Sequence, residues 1–368
     1  MLLALFTPAA FALPLLVERF DAEPQYWDER VAEGKGGPSS KYEIGGGVIT
    51  FTADERTKKF VAYGHRVALR GVEWLDVSAK VTIAGLKNPD GTDLCGAFIR
   101  FDTGLVVPTR GCEARADSAP HRRYIPVPPT SRDMEVGVAL TTAGTVTVDD
   151  LVVDTTPPDL KTLVRGGFQY HWIGNDAFRE EQLEQNDLKL AELSSFFGTK
   201  PGGKLEYWKY PDSATLEMFT GLRRDYIASG TRIDTVLRND TRALVAALSR
   251  SWGDPPAMLF EGLSVHLAGD WDGRDPKLST RTQVNEGTAP TLLTLLDPAK
   301  FAAEPPERAY TQAGAFVSWI VATKGAPAVQ ACFAGTGKTK TVEQNQAAIE
   351  AALGAPLSKI EAEFRASL

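Results

Sequence analysis

The spacing of hydrophobic residues along this chain changes once, near residue 155. Before that point apolar and polar residues alternate, most clearly at Leu75, Val77, Ala79, Val81 and Ile83. A period of two predicts a strand with one face on a core and the other in water. Similar runs predict strands at 48–52, 60–69, 96–101, 123–127, 134–140 and 145–153. Seven or eight strands at this spacing predict an all-β sandwich or jelly roll over residues 17–155.

Beyond this region the period becomes helical. Pro157 and Pro158 resist both helix and central strand, so residues 156–165 are predicted to form a linker. Residues 166–368 are predicted to form a second, α+β and mostly helical domain. Its predicted helices are 176–197, 213–220, 242–252, 256–267, 310–323 and 342–353, and its predicted strands are 204–210 and 232–237. Ser358 and Glu361 predict a capping box for a last helix.

Composition and charge are those of an ordinary globular protein. The chain has 368 residues, of which 43% are hydrophobic and 24% charged, and this length favours two domains over one core. With 40 Lys+Arg against 47 Asp+Glu, the formal net charge is −7. This mild acidity disfavours a nucleic-acid partner.

Residues 1–16 form a strongly apolar N-terminal stretch. It is shorter than the roughly 20 residues that a membrane span needs, and the Ala10-Phe11-Ala12 triplet resembles a signal-peptidase site. No Lys or Arg precedes Arg19, so the true start codon stays open, and the alternative is that these residues begin the first strand. We expect a signal-like segment, no transmembrane span, and a secreted or periplasmic protein.

The sequence has three cysteines, which cannot all pair within one chain. Cys95 and Cys112 are a candidate disulfide if the protein is exported, which leaves Cys332 as a small buried residue. The cysteine spacing does not match a zinc knuckle.

Several segments of the second domain occur in a characteristic order. They are GFQYHWIG, DAFREEQLEQNDLKLAELSSFFG, GKLEYWKYPDSATLEMFTG, SGTRIDTVLRNDTRALVAALSRSWGDPPAMLFEGLSVHLAG, YTQAGAFVSWIVATKG and LGAPLSKIEAEFRASL. In this order they resemble the gluzincin metallopeptidases, specifically the peptidase-MA-like bacterial proteins. Active members carry His-Glu-x-x-His on one helix, where both imidazoles bind zinc and the Glu activates water, and a later helix supplies a further Glu ligand.

The resemblance places different residues at these positions of the chain. Arg242-Ala-Leu matches the family's continuation after the second histidine, which puts Arg238 and Arg242 at the histidine positions and Asn239 at the catalytic Glu. Glu261, in Glu-Gly-Leu-Ser, matches the third ligand. Because guanidinium has no lone pair for a metal and Asn is no general base, we expect neither zinc nor catalytic residues here.

The retained Glu261 raises the question of what compensates its charge. We hypothesise that Arg242 or Arg238 pairs with Glu261, replacing the metal bridge by an ion pair. The alternative is that both arginines face solvent on an ordinary amphipathic helix. His266 borders the same cleft either as a ligand-binding group or, more commonly for histidine, as a packed side chain with one satisfied nitrogen.

Two further motifs and one further resemblance complete the candidates. The cluster Asp270-Trp-Asp-Gly-Arg-Asp275 fits a calcium loop poorly and favours a solvated turn, and Gly335-Thr-Gly-Lys-Thr339 lacks the first glycine of a P-loop. The opening Val17-Glu-Arg-Phe-Asp21 and the closing GTVTVDDLVV resemble jelly-roll carbohydrate-binding modules. Sugar sites use aromatic and polar side chains, and the candidates are Tyr26, Trp27, Trp74 and Arg100, each more commonly a core or rim residue.

These observations favour a non-catalytic binding protein. We expect a pseudo-metallopeptidase domain fused to a carbohydrate-binding-like module, with a polypeptide or glycan as ligand. Two alternatives stay open: an active zinc metallopeptidase with an unrecognised ligand set, and a structural envelope-interaction protein. The sequence leaves the ligand and the oligomeric state open.

Overall fold

The computed structural model of this chain describes residues 14–21, 28–30, 41–53, 60–86, 93–110, 112, 120–222 and 224–368. The chain divides into two compact units, one of residues up to 161 together with 211–225, the other of 162–210 together with 226–368. The first unit is rich in strands and the second combines a five-stranded sheet with most of the helices. The predicted fold class, an all-β sandwich followed by an α+β, mostly helical domain, is confirmed.

The first unit contains two antiparallel sheets. Its described strands are Leu16–Glu18 (β1), Asp28–Arg30 (β2), Lys41–Gly45 (β3), Val48–Ala53 (β4), Phe60–Ala68 (β5), Trp74–Ala84 (β6), Cys95–Phe101 (β7), Val106–Pro108 (β8), Pro120–Pro126 (β9), Asp133–Leu140 (β10) and Gly144–Asp154 (β11). One sheet has the order β3-β4-β11-β6-β9 with β1 beside β11, and the other has β2-β5-β10-β7-β8. The seven strands predicted from alternation are all present.

The alternating strand β6 shows why this part folds as a sandwich. Leu75, Val77 and Val81 are fully buried, and they share one hydrophobic core with residues of β7, β10 and β11. The four strands that the sequence pattern missed, β1, β2, β3 and β8, have only three to five residues. Leu16 begins β1, and residues 1–13 of the predicted signal-like segment lie outside the described residues.

The second unit is built on a sheet of order β12-β13-β14-β16-β15. Its strands are Leu160–Arg165 (β12), Phe168–Ile173 (β13), Leu205–Lys209 (β14), Tyr226–Ser229 (β15) and Arg232–Thr235 (β16). Neighbours β13, β14 and β16 run parallel, and the edge strand β15 runs antiparallel to β16. Residues 160–165 were predicted as part of the linker. They are a strand because Leu160 to Arg165 pair beside β13, and the irregular connection is limited to 155–159.

The other regular elements of the described chain are helices. They are Glu180–Phe197 (α1), Ser213–Thr220 (α2), Thr241–Leu248 (α3), Ala257–Ala268 (α4), Pro276–Asn285 (α5), Leu292–Leu296 (α6), Pro298–Ala303 (α7), Pro306–Lys324 (α8), Ala326–Gly335 (α9), Val342–Leu353 (α10) and Leu357–Ala366 (α11). The predicted capping box of α11 is wrong, because the helix begins at Leu357 with Pro356 as its N-cap, so Ser358 lies inside the helix, and no side chain caps it. Among the described residues, no helix is both long and apolar enough to cross a membrane.

Helix α2 belongs to the first unit although its sequence lies between β14 and β15. Its Phe219 ring packs against Tyr124 of β9 at 5.1 Å and against Trp74 of β6 at 6.0 Å between centroids. The Arg123 guanidinium donates to the Thr220 carbonyl oxygen at 3.0 Å. Apolar packing and this hydrogen bond together explain why residues 211–225 group with the sandwich.

Close contact between α4 and α8 fixes the position of Glu261. A Cβ atom on the neighbouring Gly262 would lie 2.5 Å from the Ala313 carbonyl oxygen. We therefore expect Gly262→Ala to push the helices apart and to lower the free energy of unfolding by about 1–3 kcal/mol. Gly203→Ala is the matched control, because a Cβ there meets nothing within 4 Å. Equal unfolding midpoints of the two variants in urea would contradict this prediction.

Candidate functional site

The residues that the sequence singled out lie around the start of α3. Asp240 is the N-cap of this helix, where its carboxylate accepts from the Ala243 amide at 2.9 Å and from the Thr235 hydroxyl at 2.6 Å. Arg242 therefore lies in the first turn of α3, whereas Arg238 and Asn239 precede the helix. The two arginines do not share a helical face one turn apart, as the two histidines of a zinc helix do.

Arg242 forms an ion pair with Glu261 of α4. One guanidinium nitrogen of Arg242 donates to Oε1 of Glu261. The Glu261 side chain is only 11% exposed, and that of Arg242 is 38% exposed. Burial lowers the pKa of an arginine, but the hydrogen bond and charge of Glu261 outweigh burial and raise the pKa of Arg242. Burial also raises the pKa of Glu261, and Arg242 opposes that rise.

Two tyrosine rings enclose the Arg242 guanidinium. Its carbon lies 4.6 Å from the ring centroid of Tyr226 on β15 and 5.4 Å from that of Tyr310 on α8. The rings of Tyr310 and Trp271 are 5.9 Å apart. Desolvation raises the pKa of both tyrosines, so their hydroxyls stay neutral near pH 7. The result is a cation held between aromatic faces, which is a stable arrangement for guanidinium.

These residues do not fit a catalytic zinc ion. A zinc site needs three protein ligands with lone pairs, whereas the position beside Glu261 holds a protonated guanidinium. Over the described part of the chain, no group of three His, Cys, Asp or Glu side chains could hold a metal ion. The buried atoms Oε2 of Glu261 and Nε of Arg242 have no hydrogen-bond partner among the described residues. The ion pair is therefore formed by one guanidinium nitrogen and one carboxylate oxygen.

Arg238 and Asn239 have other partners. Arg238 contacts Asp176, in the connection between β13 and α1, and not Glu261. The Asn239 amide donates to the Gln182 carbonyl oxygen at 2.9 Å and to the Asn186 side chain at 2.8 Å. Of the two arginines in the pairing hypothesis, the structure places only Arg242 against Glu261.

His266 is a packed residue of α4. Its Nδ1 lies 2.9 Å from the Ser318 hydroxyl, and its ring faces Phe196 at 6.2 Å. Burial lowers the pKa of His266, so the imidazole is neutral near pH 7. These contacts match the interpretation of a histidine with one satisfied nitrogen.

The calcium-like and P-loop-like motifs have local structural roles. Asp270 accepts from the Gly273 amide at 2.9 Å within a turn, and Asp275 caps α5 through the Leu278 amide at 2.8 Å. Gly335 ends α9, and its carbonyl oxygen accepts from Lys340 at 2.6 Å. Neither segment presents a set of free ligands.

The disulfide candidate and one sugar-site candidate lie in the sandwich. Cys95 and Cys112 are joined, with 2.11 Å between the sulfur atoms, and Cys332 is buried in the second unit. Arg100 lines a groove of about 540 Å³ on the outer face of the sheet containing β5, β7 and β10. There it forms a 2.6 Å ion pair with Glu135, beside the 2.8 Å pair of Arg66 and Asp133.

Trp74, the one aromatic sugar-site candidate among the described residues, does not line this groove. Trp74 packs against Phe219 instead, and Tyr26 and Trp27 lie outside the described residues. Sequence reasoning missed Arg66, Asp133 and Glu135, although Glu135 is the cross-strand partner of both Arg66 and Arg100. Only strand register could have revealed this row of charges.

No protein-family model matches the chain, and no curated protein sequence matches it. Among solved structures, an M1 zinc metallopeptidase from Deinococcus radiodurans matches with 11% identity over 86% of this chain and 89% of that chain, at a TM-score of 0.36. A xylan-binding CBM22-1 domain from Paenibacillus barcinonensis matches with 13% identity over 39% of this chain and 94% of its own, at 0.26. Tailspike protein 4 of bacteriophage CBA120 matches with 10% identity over 38% of this chain and 20% of the tailspike, at 0.27. These scores are too low to assign the chain to any of the three groups.

Proposed function

We propose that this chain is a secreted or periplasmic, non-catalytic binding protein. In this proposal the second unit is a metallopeptidase-like domain that has lost its metal, and it binds a polypeptide without cleaving it. The observation that carries the proposal is the ion pair of Arg242 and Glu261, which holds a fixed positive charge beside the residue that the resemblance matches to a zinc ligand. A cation bound in that place repels Zn²⁺ and offers no lone pair to it.

The surroundings of the ion pair favour a polypeptide as ligand. Tyr226, Trp271 and Tyr310 are half-buried around Arg242, and aromatic side chains of this kind contribute much of the energy at binding surfaces. Tyr226 also belongs to β15, one of the two edge strands of the sheet. An extended segment can add to such an edge through backbone hydrogen bonds, after displacing Arg250 from the Ala228 carbonyl oxygen.

The first unit supports a second binding role, for a glycan. The groove beside Arg100 is lined by Arg66, Asp133 and Glu135, and charged side chains of both signs can bind sugar hydroxyls. The disulfide of Cys95 and Cys112 supports export, because disulfides persist in oxidising compartments.

Two measurements on the same preparation test the main proposal. Protein purified from zinc-supplemented medium without chelator, analysed by mass spectrometry beside an active gluzincin, is expected to contain near-zero zinc while the control is fully occupied. Fluorescein-labelled denatured casein is expected to gain anisotropy in the presence of the protein and to stay uncleaved. About one zinc per chain, or cleavage that a chelator stops, would establish the rival function of an active zinc peptidase.

A structural envelope protein is the other rival, and casein binding separates it from the proposal. A recognition cleft keeps a concave surface with convergent polar groups, whereas a purely structural remnant binds no free ligand. Tyr226→Ala is expected to weaken casein binding at least tenfold if the aromatic surface forms the site. Absence of binding by the unaltered chain to both casein and soluble polysaccharides would favour the structural function.

A further inference from the structure

A compact group of charged and aromatic side chains lies where the parallel strands of the second unit's sheet end. This edge cluster consists of Trp172, Asp176, Lys209 and Arg238. Trp172 near the end of β13 and Lys209 at the end of β14 are register partners in parallel strands. Asp176 lies in the connection that follows β13, and Arg238 in the connection that follows β16. The cluster therefore lies at the carboxyl ends of parallel strands, where open α/β sheets commonly bind ligands.

The edge cluster has more positive than negative charge. Lys209 and Arg238 both contact the single carboxylate of Asp176. The nearest further carboxylate along the chain, that of Asp240, accepts from the Thr235 hydroxyl and the Ala243 amide instead. Burial and the neighbouring Arg238 both lower the pKa of Lys209. One negative charge therefore serves two cations, one of which is only 2% exposed.

Two N–H donors of the edge cluster are unused. The indole Nε1 of Trp172 and the Nε of Arg238 are both buried and have no hydrogen-bond partner among the described residues. A buried donor without an acceptor is unfavourable, so a ligand that accepts hydrogen bonds would be favoured there. The cluster is not closed to solvent, because the side chains of Arg238 and Asp176 are 40% and 27% exposed.

We propose that the edge cluster binds an oxyanion, either a phosphate or a carboxylate group. Such a ligand supplies the second negative charge for Lys209 and Arg238 and accepts from the unused N–H groups. Arginine and lysine with an indole N–H provide several donors, and charge-assisted bonds of this kind are the stronger ones. The site includes neither Arg242 nor Glu261, so a test of this proposal does not depend on the function proposed above.

Titration of the intact protein by NMR tests this proposal directly. The chain has seven tryptophans, so the indole region is simple, and Trp172→Phe assigns the Trp172 signal. Sodium phosphate or sodium acetate, each compared with sodium chloride at equal ionic strength, is expected to shift this signal in a saturable way. Tighter binding of phosphate would identify a phosphoryl ligand, and tighter binding of acetate a carboxylate such as a peptide C-terminus.

Substitutions locate the response in the edge cluster. Arg238→Gln is expected to weaken binding at least tenfold, whereas Arg281→Gln, at an exposed position of α5, leaves it unchanged. Arg238→Lys keeps the charge without the Nε donor and is expected to bind the anion with intermediate affinity. This variant tests the proposal if Arg238→Gln does not fold. Absence of a saturable shift with both anions, or equal affinity in the unaltered and Arg238→Gln proteins, would overturn the proposal.

Discussion

Replacing Arg242 by methionine is expected to lower the free energy of unfolding of the second unit by about 3 kcal/mol. The substitution keeps the aliphatic bulk between Tyr226 and Tyr310 but leaves the Glu261 carboxylate buried without a cation. The value lies at the low end of the range for broken buried pairs because Arg242 is 38% exposed and water screens part of its charge. Hydrogen exchange of α3 and α4 measures the change, with strands β7 and β10 as the internal reference.

The pH dependence of this effect identifies Glu261 as its cause. Without Arg242, burial raises the pKa of Glu261 in the folded state above its unfolded value, and only the weaker effect of the Lys338 charge still opposes the rise. The neutral acid is then favoured in the folded protein, so the cost of Arg242→Met is full at high pH and shrinks as the pH falls through that pKa. A cost that is the same at pH 5 and pH 8 would contradict an electrostatic origin.

The double variant Arg242→Met with Glu261→Met completes the comparison. Removing both charges leaves no uncompensated ion, and replacing a buried pair by apolar residues is commonly neutral or stabilising. We expect the double variant to regain most of the stability lost in the single one. A double variant as unstable as Arg242→Met alone would show that packing of the guanidinium against the tyrosines matters more than charge.

Removing the disulfide is expected to destabilise the sandwich by a similar amount, about 3 kcal/mol for a loop of this size. Cys95 and Cys112 are separated by 17 residues in sequence, and the bond restricts this loop in the unfolded chain. The double variant Cys95→Ala with Cys112→Ala should increase hydrogen exchange in β7 and its neighbour β10. The helices of the second unit provide the reference that should not change.

A reducing agent separates the bond from the packing of the cysteine side chains. Dithiothreitol should lower the unfolding midpoint of the sandwich in the unaltered protein and have no effect on the double variant. Cys332 provides the control, because it is buried and unpaired. In Cys332→Ala the response to dithiothreitol should persist. A loss of the response in this variant would show that it comes from Cys332 and would contradict the prediction.

Much of the fold could be predicted from the sequence because long elements carry a clear period. Strand β6 alternates over eleven residues, and helices α2 and α10 have the bounds that their patterns predict. The linker over 156–165 was predicted from Pro157 and Pro158, and strand β12 gave no contrary signal because its sequence LKTLVR does not alternate and residues 162–164 are exposed. The predicted capping box of α11 is absent because the helix starts at Leu357, which makes Ser358 a helical residue and not the N-cap.

Of the candidate site, the sequence predicted the ion pair of Glu261 with an arginine but not which arginine forms it. The gluzincin resemblance predicted a cation near Glu261 and narrowed this cation to Arg238 or Arg242. It could not reveal that Asp176, 62 residues before Arg238, would take that second arginine. Such a contact depends on how the connections after β13 and β16 leave the same edge of a sheet. Register and chain direction, which set that edge, are tertiary properties.

The placement of α2 against β9 limits how the protein can be cut or made in parts. A fragment ending at residue 161 would lack the Phe219 ring that covers Tyr124, and a fragment starting at 162 would carry Phe219 with nothing to cover it. Both fragments would therefore expose apolar surface and tend to aggregate. During synthesis on the ribosome, the sandwich cannot complete its packing until residue 225 has left the exit tunnel, by which time β12, β13, α1 and β14 have already emerged.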